Sequence, residues 1–274
     1  MGSVGSRSLF WSDLTTRDFA GLERETTVVV LPIGAIEQHG PHLPISTDTA
    51  IAECMISLLS KRVPAEVGML VLPVFPIGKS NEHMQSAGTL TLSAETLMRV
   101  LFELAQSVAR AGLRKIVIVS SHGGNDDLLA VVKRELRVRL RMLAVATHWQ
   151  RFGLPPGVFS ADEERYGIHG GDIETSLMLH FLPQQVRMER AKNFLSSATV
   201  IEKDYKCLTP EGAHAFGWIA QDLNEDGVVG DARQATAEKG RLVAEHQVAG
   251  FIDLVKDMIR FPVGQLHRSD DPSI

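Results

Sequence analysis

Acidic and imidazole side chains are concentrated in one short segment, GAIEQHGPHLPISTD, at residues 34–48. It contains Glu37, His39, His42 and Asp48, while its glycines and prolines disfavour a regular helix or a long strand. In an extended backbone Glu37 and His39 project to the same side, and Asp48 can fold back onto them after the intervening turn. Imidazole and carboxylate groups suit zinc, manganese or iron, and a carboxylate can bridge two such ions. The segment is therefore a candidate metal site.

Further candidate residues occur in three other loops. They are Ser80 and His83 in SNEH, His122 in SSHGGN, and His169, Asp172 and Glu174 in HGGDIETS. His122 has small neighbours, so the backbone there can approach a ligand closely. Two metal ions that share a water molecule lower its pKa and polarise a carbonyl group, which is the chemistry of metal-assisted hydrolysis. Acids and histidines in loops are often only solvated, and it is their number at predicted strand ends that favours a metal centre.

These loops follow apolar segments that predict the strands of a parallel sheet. The predicted strands are 27–33, 69–75 with a break at Pro73, 115–120 and 142–147, and the predicted helices are 49–59, 93–111, 126–140, 172–182 and 235–259. The alternation of strand and helix is typical of an α/β fold, here a three-layer sandwich with a mostly parallel sheet flanked by helices. In such a sheet ligands bind outside the carboxyl ends of the strands, so we expect the candidate residues to meet at one edge.

Composition limits the classes of function. The chain has 274 residues and a formal charge of −5, and we expect a single domain over 1–274 with mobile ends at 1–8 and 263–274. The negative charge disfavours nucleic acid as a partner, and no apolar run approaches the roughly 18 residues of a membrane helix. The two cysteines, Cys54 and Cys207, are far apart in sequence, which is typical of a cytoplasmic protein. A small-molecule substrate is the expected partner.

The segment LPIGAIEQHGPHLPISTDT resembles the signature of the creatininase family of metal-dependent amidohydrolases. Similar matches follow in the family's order at 78–89, 120–125, 169–176 and 227–240. The resemblance implies a creatininase-like fold and a hydrolase that cleaves a C–N bond in a cyclic amide, a formamide or a small peptide. It also implies a homo-oligomer, with a hexamer favoured.

The same resemblance assigns roles to single residues. It implies two divalent ions per chain, with zinc favoured over manganese or iron, held by Glu37, Asp48 and His122 at one position and by His39 and Asp48 at the other, with Asp48 as the bridge. Creatininase has a glutamate where this chain has Gly124, and Glu174 is then expected to supply the missing carboxylate, as a ligand and part of the catalytic set. His169 matches a histidine that protonates the leaving nitrogen. A metal-activated hydroxide is the implied nucleophile.

Substrate contacts are predicted at Ser80, His83, Gly123, Trp149 and Arg165. Arg165 and Arg151 can meet a carboxylate on a substrate, although a surface position is the ordinary alternative for both, and core packing is the alternative for Trp149. The chain departs from creatininase at Ile168, just before His169, and at 86–87. Creatinine is therefore disfavoured, and the sequence leaves the substrate open.

Other interpretations of these motifs are weaker. A metal-dependent lyase or isomerase on the same scaffold is the alternative function. DLNEDG, from Asp222, copies half of a calcium loop, but Arg233 stands where that loop needs glutamate, so a polar turn is expected. The serines before His122 lack the G-x-S-x-G elbow of a serine hydrolase. His42 is expected to support the ligands or to pack rather than to bind metal.

Overall fold

The structure, a computed structural model, describes residues 8–266. At its centre is a four-stranded parallel sheet with the strand order β2-β1-β3-β4. The strands are β1 (Val28–Ile33), β2 (Met69–Val71), β3 (Lys115–Ser120) and β4 (Leu143–His148). β1 pairs with β3 along its whole length, from Val28 opposite Lys115 to Ile33 opposite Ser120. The predicted parallel sheet is confirmed.

β2 is shorter than the predicted strand 69–75. Its continuous pairing ends at Val71, shortly before Pro73, which has no amide hydrogen to donate to a neighbouring strand. The amide of Leu72 still donates to the carbonyl oxygen of Val30, and beyond the proline the amide of Phe75 donates to the carbonyl oxygen of Pro32, each at 2.9 Å. The broken second half directs the chain away from the sheet and into the loop that carries Ser80 and His83.

Helices cover both faces of the sheet. On one face lie α1 (Thr47–Arg62), α5 (Asp172–Phe181) and α8 (Ala237–Arg260), and on the other lie α2 (Ala94–Arg110) and α3 (Asp126–Leu140). Side chains alternate along β1, so Val28 and Val30 belong to the first core while Val29 and Leu31 belong to the second. The predicted three-layer sandwich is confirmed.

Local sequence fixes the ends of α2. The hydroxyl of Ser93 accepts a hydrogen bond from the amide of Thr96 at 3.2 Å, which satisfies one of the free amides of the first turn. Gly112 lies just beyond the other end with φ of 85°, a left-handed conformation that glycine adopts without steric cost. Gly112 therefore follows directly on the helix that the sequence predicts over 93–111.

The order of the strands creates a crevice between β1 and β3. From β1 the chain moves outward to the edge strand β2, and it then returns to β3 on the other side of β1. The loops that leave the carboxyl ends of β1 and β3 consequently diverge above neighbouring strands, which is where open α/β sheets bind ligands. The loop after β1 contains Glu37, and the loop after β3 contains His122.

Shorter elements surround this end of the sheet. They are α4 (Ala161–Tyr166), α6 (Ala198–Asp204), α7 (Ala220–Leu223), and an antiparallel pair formed by β5 (Asn193–Phe194) and β6 (Gly230–Asp231). Between residues 8 and 266, no helix is both long and apolar enough to cross a membrane. The predicted mobile ends fall largely on 1–7 and 267–274, which lie outside the described residues. Their mobility and the single-domain organisation stay predictions.

Candidate metal centre

Five predicted ligands lie together, buried, at the crevice between β1 and β3. They are Glu37, His39, Asp48, His122 and Glu174. Asp48 lies between the two histidines, with Oδ1 3.4 Å from His39 Nε2 and Oδ2 3.5 Å from His122 Nδ1. Glu37 Oε1 is 3.1 Å from His122 Nδ1, and Glu174 Oε2 is 3.7 Å from His39 Nε2. Asp48 thus contacts both histidines, of which His122 also lies beside Glu37 and His39 also lies beside Glu174.

The loop after β1 delivers three of these side chains. The amide of Glu37 donates to the carbonyl oxygen of Ile45 at 2.9 Å, which folds the loop back on itself. α1 begins at Thr47, two residues earlier than predicted, so Asp48 lies in the first turn, where the helix dipole favours a carboxylate. The hydroxyl of Ser121, just after β3, donates to the carbonyl oxygen of Asp48 at 2.7 Å and ties the two loops together.

Backbone carbonyl groups orient two of the histidines. The Nδ1 of His39 lies 3.1 Å from the carbonyl oxygen of Glu37, and the Nε2 of His122 lies 2.9 Å from that of Lys79. A carbonyl oxygen can only accept, so these nitrogens carry the ring hydrogens. In the neutral form of each ring the opposite nitrogen then presents a lone pair towards the carboxylates, which is the orientation of metal-binding histidines held by outer partners.

Several atoms of the group are buried without a hydrogen-bond partner. Among them are both carboxylate oxygens of Glu37, Nε2 of His39 and Oδ2 of Asp48. Unpartnered buried polar atoms are costly, because they lose their hydrogen bonds to water without replacement. A divalent cation would satisfy lone pairs on nitrogen and oxygen together, so these residues fit a metal centre.

The electrostatics of the group also call for positive charge. Burial lowers the pKa of His39, but Asp48 and Glu174 outweigh it and raise the pKa to about 10. Burial and the nearby charge of Glu37 raise the pKa of Asp48 to about 7. Burial alone would raise the pKa of Glu37, yet the surrounding imidazoles, His122 first, hold it well below its usual range. Bound cations would supply the charge that protons supply in their absence.

Two more imidazoles face the same carboxylate. His83 Nε2 and His169 Nδ1 lie 3.4 Å and 3.6 Å from Oε1 of Glu37. The two rings stack, with centroids 4.3 Å apart and planes at 26°. For both residues, burial first and neighbouring histidines next lower the pKa to about 3, so both imidazoles are neutral near pH 7. The structure thus brings His169, the predicted proton donor, to the metal candidates.

Glu82 belongs to the site, although it was not among the residues predicted from the sequence. Its Oε1 lies 3.3 Å from Nε2 of His122. A Cβ atom added to Gly124 would overlap this same oxygen, so the Glu82 carboxylate fills the space beside His122 that a side chain at 124 would need. Glu174, the expected replacement for the missing acid, lies with His39 and Asp48, the two residues predicted to hold the second ion. The available signal was the position of Glu82 beside His83 in a loop that follows a strand.

The predicted substrate contacts have diverse surroundings. Ser80 is buried with Oγ 3.3 Å from His122 Nε2, whereas a Cβ atom at Gly123 would meet no other atom within 4 Å. Trp149 is only 2% exposed and packs against Phe251 at 5.0 Å between ring centroids, within the core. The indole is covered by core side chains, as the core-packing alternative expects, and its contact with substrate stays a prediction.

The arginines and His42 have partners other than the five candidate ligands. The side chain of Arg165 is 63% exposed and pairs with Glu202, and its contact with substrate stays a prediction. Arg151 pairs with Asp126 at 2.9 Å. His42 is buried with Nε2 3.0 Å from the carbonyl oxygen of Gly170, and its ring stacks on Phe194. The His42 side chain therefore stabilises the HGG turn before α5 rather than a ligand directly.

The calcium-like DLNEDG segment is a helix end followed by a turn. Asp222 lies in α7, and its carboxylate accepts the amide of Ile219 at 2.9 Å. Asn224 in turn accepts the amide of Asp226 through its side-chain oxygen at 2.9 Å. Within the described chain this segment contributes to none of the groups of side chains close enough to hold an ion.

Fold and site together define an α/β protein with carboxylates and imidazoles gathered at the carboxyl ends of its central strands. The sequence profile of the creatininase family, described as creatinine amidohydrolase, matches residues 12–255. The chain belongs to the creatininase family, as its sequence motifs predicted. The predicted class of enzyme, an amidohydrolase that acts on C–N bonds, is confirmed with it.

Named relatives and a solved structure match most of the chain. The mycofactocin precursor peptide peptidase of Mycobacterium tuberculosis (strain H37Rv) is 33% identical over 238 residues, 85% of this chain and 83% of its own. The creatinine amidohydrolase of Pseudomonas putida is 28% identical over 273 residues, 92% of this chain and 98% of its own. A structure of the manganese form of creatininase superposes with a TM-score of 0.73 at 25% identity, covering 93% of this chain and all of that one.

Proposed function

We propose that the chain is a two-metal hydrolase that cleaves a C–N amide bond, with a small peptide as the favoured substrate class. The observation that carries the proposal is the pair of buried groups that share Asp48, one with Glu37 and His122 and one with His39 and Glu174. Each group offers oxygen and nitrogen ligands to one ion, and a shared carboxylate is the usual bridge between two. Zinc suits these ligands best, with manganese or iron as alternatives.

The relatives support the choice among substrate classes. The 33% identical relative is named a peptide peptidase, while the 28% identical relative is named for creatinine. The chain also differs from creatininase at Ile168 and at 86–87, beside residues expected near the substrate. A linear peptide is therefore favoured over a cyclic amide or a formamide.

The residues of the site divide the remaining work. When bound, two divalent ions would lower the pKa of a water molecule and polarise the substrate carbonyl. His169 is neutral with Nδ1 facing the carboxylate of Glu37, so it can accept a proton from the attacking water and deliver it to the leaving nitrogen. The water oxygen bonds to the carbonyl carbon, the C–N bond breaks, and the amine leaves with the proton. Burial of the ligands keeps competing water from the carboxylates.

Metal analysis and isotope incorporation test the proposal. Protein purified without chelator is expected to contain two transition-metal ions per chain and to hydrolyse members of a short-peptide library in preference to creatinine and formamides. In ¹⁸O-labelled water, hydrolysis must place the label in the new carboxylate, whereas a lyase or isomerase product would lack it. Fewer than one ion per chain, with no activation by zinc or manganese, would contradict the two-metal centre.

A further inference from the structure

Gln38 contacts both of the stacked imidazoles, His83 and His169. Each ring turns a different nitrogen towards Glu37, Nε2 for His83 and Nδ1 for His169. Gln38 is buried and directly follows Glu37 in the chain. Its side-chain nitrogen lies 2.9 Å from His83 Nδ1, while its backbone carbonyl oxygen lies 2.8 Å from His169 Nε2. One residue therefore supplies a contact to the outer nitrogen of each ring.

Two backbone groups fix the orientation of the Gln38 amide. The amide of Gly40 donates to Oε1 of Gln38 at 3.0 Å, and the Gln38 side-chain nitrogen donates to the carbonyl oxygen of Gly227. A flipped amide would place two oxygens, or two N–H groups, against each other at these contacts. The second hydrogen of the nitrogen is then directed to His83, so Nδ1 of His83 must accept.

The hydrogen of each imidazole follows from these contacts. Because Nδ1 of His83 accepts from the Gln38 amide, Nε2 must carry the ring hydrogen, and it faces Glu37 as a donor, 3.4 Å from Oε1. The Gln38 carbonyl can only accept, so Nε2 of His169 carries its hydrogen even though the Gln38 amide nitrogen is also 3.2 Å away. The Nδ1 of His169 then faces the same oxygen with a lone pair, at 3.6 Å.

We infer that Gln38 is a positioning residue that makes His83 a hydrogen-bond donor and His169 a proton acceptor at one edge of the Glu37 carboxylate. His83 is thereby prevented from acting as a further metal ligand, since its facing nitrogen has no lone pair to offer. In the proposed hydrolysis, on which this catalytic consequence rests, His83 donates to the substrate oxygen while His169 carries the proton. Gly227 leaves space for the Gln38 side-chain amide, because a Cβ atom at 227 would crowd it.

Nitrogen spectra of the histidine rings test the assignment directly. In zinc-loaded protein with ¹⁵N-labelled histidine, long-range ¹H–¹⁵N correlations are expected to show His83 and His169 both protonated at Nε2. The signals are assigned with the His83→Asn and His169→Asn variants. His83 protonated at Nδ1 in the unaltered protein would overturn the inference, and this outcome depends on no variant at Gln38.

The Gln38→Glu variant separates the two rings. A carboxylate at 38 can only accept, so Nδ1 of His83 is expected to become protonated while His169, held by the backbone, stays unchanged. Gln221→Glu is the matched control and should alter neither ring, because Gln221 contacts Ser86 rather than a histidine. An unchanged His83 signal in folded Gln38→Glu would overturn the inference.

Kinetics test the catalytic consequence separately. We expect Gln38→Glu to lower kcat by roughly 10- to 100-fold, the range found when a residue that orients a site histidine is lost. The variant is expected to contain as much metal as the unaltered protein. An unchanged kcat, or a loss of activity that only follows loss of metal, would contradict it. The spectra do not depend on turnover, so failure of the unaltered protein to hydrolyse amides would contradict the proposed function and leave the ring assignment intact.

Discussion

At the scale of single residues, Glu174 decides whether a second ion is held. Its Oε2 lies 3.7 Å from His39 and accepts the amide of Gly170 at 2.7 Å, so its place is set by the turn before α5. Glu174→Gln is expected to lose one of the two proposed ions. The affinity for that ion should fall by more than the roughly 10- to 100-fold that is typical when a residue that only orients a ligand is lost. Chelator competition and elemental analysis measure this, with exposed Glu189→Gln as the control. Two ions retained at full affinity would contradict the assignment.

Gly124 and Gly123 form a matched pair for testing Glu82. A methyl group at 124 would overlap the Glu82 carboxylate and Nε2 of His122, whereas one at 123 would meet no other atom within 4 Å. Gly124→Ala is expected to displace Glu82 and weaken metal binding by about tenfold or more, while Gly123→Ala binds as before. Metal titration of both variants distinguishes them. Equal affinities would show that the space beside His122 does not matter.

At the scale of elements, the contact between α5 and α8 depends on a glycine. A Cβ atom at Gly240 of α8 would overlap the carbonyl oxygen of Ser176 in α5, so the two backbones are in direct contact there. Gly240→Ala is expected to lower the free energy of unfolding by about 1–3 kcal/mol, because forced separation of packed helices costs more than the helix propensity gained. Urea denaturation checks this against Gly264→Ala, which meets no neighbour. No difference between the variants would contradict the close contact.

At the scale of the whole molecule, buried neutral histidines make stability depend on pH. Burial lowers the pKa of His148 to about 3, against 6.5 for the exposed group. Between these values the unfolded chain binds a proton that the folded chain does not, so the free energy of unfolding falls as the pH falls. His148→Asn keeps an acceptor for the amide of Gln150 and should remove up to about 1.4 kcal/mol per pH unit of this dependence. Urea denaturation at several pH values measures both slopes, and equal slopes would refute the prediction.

The sequence predicted the fold well because the central strands β1 and β3 are buried on both faces. β1, β3 and β4 are mainly apolar, and each begins and ends within one residue of its predicted bounds. The sequence could not identify the neighbours of Trp149 and Arg165, because Phe251 and Glu202 are distant from them in the chain. Glu82 was not predicted as a site residue for the same reason. It lies beside His122 only because the loops after β2 and β3 meet in the folded chain.

The crevice between β1 and β3 also has a consequence for biosynthesis. Its side chains come from loops after three strands and from α5, which follows all four strands of the central sheet in the chain. A nascent chain that lacks α5 has only part of the ligand set, so ion capture is coupled to completion of the sheet and its covering helices. Ions that bind only the finished fold shift the folding equilibrium by mass action, and metal supply would then govern the lifetime of newly made protein.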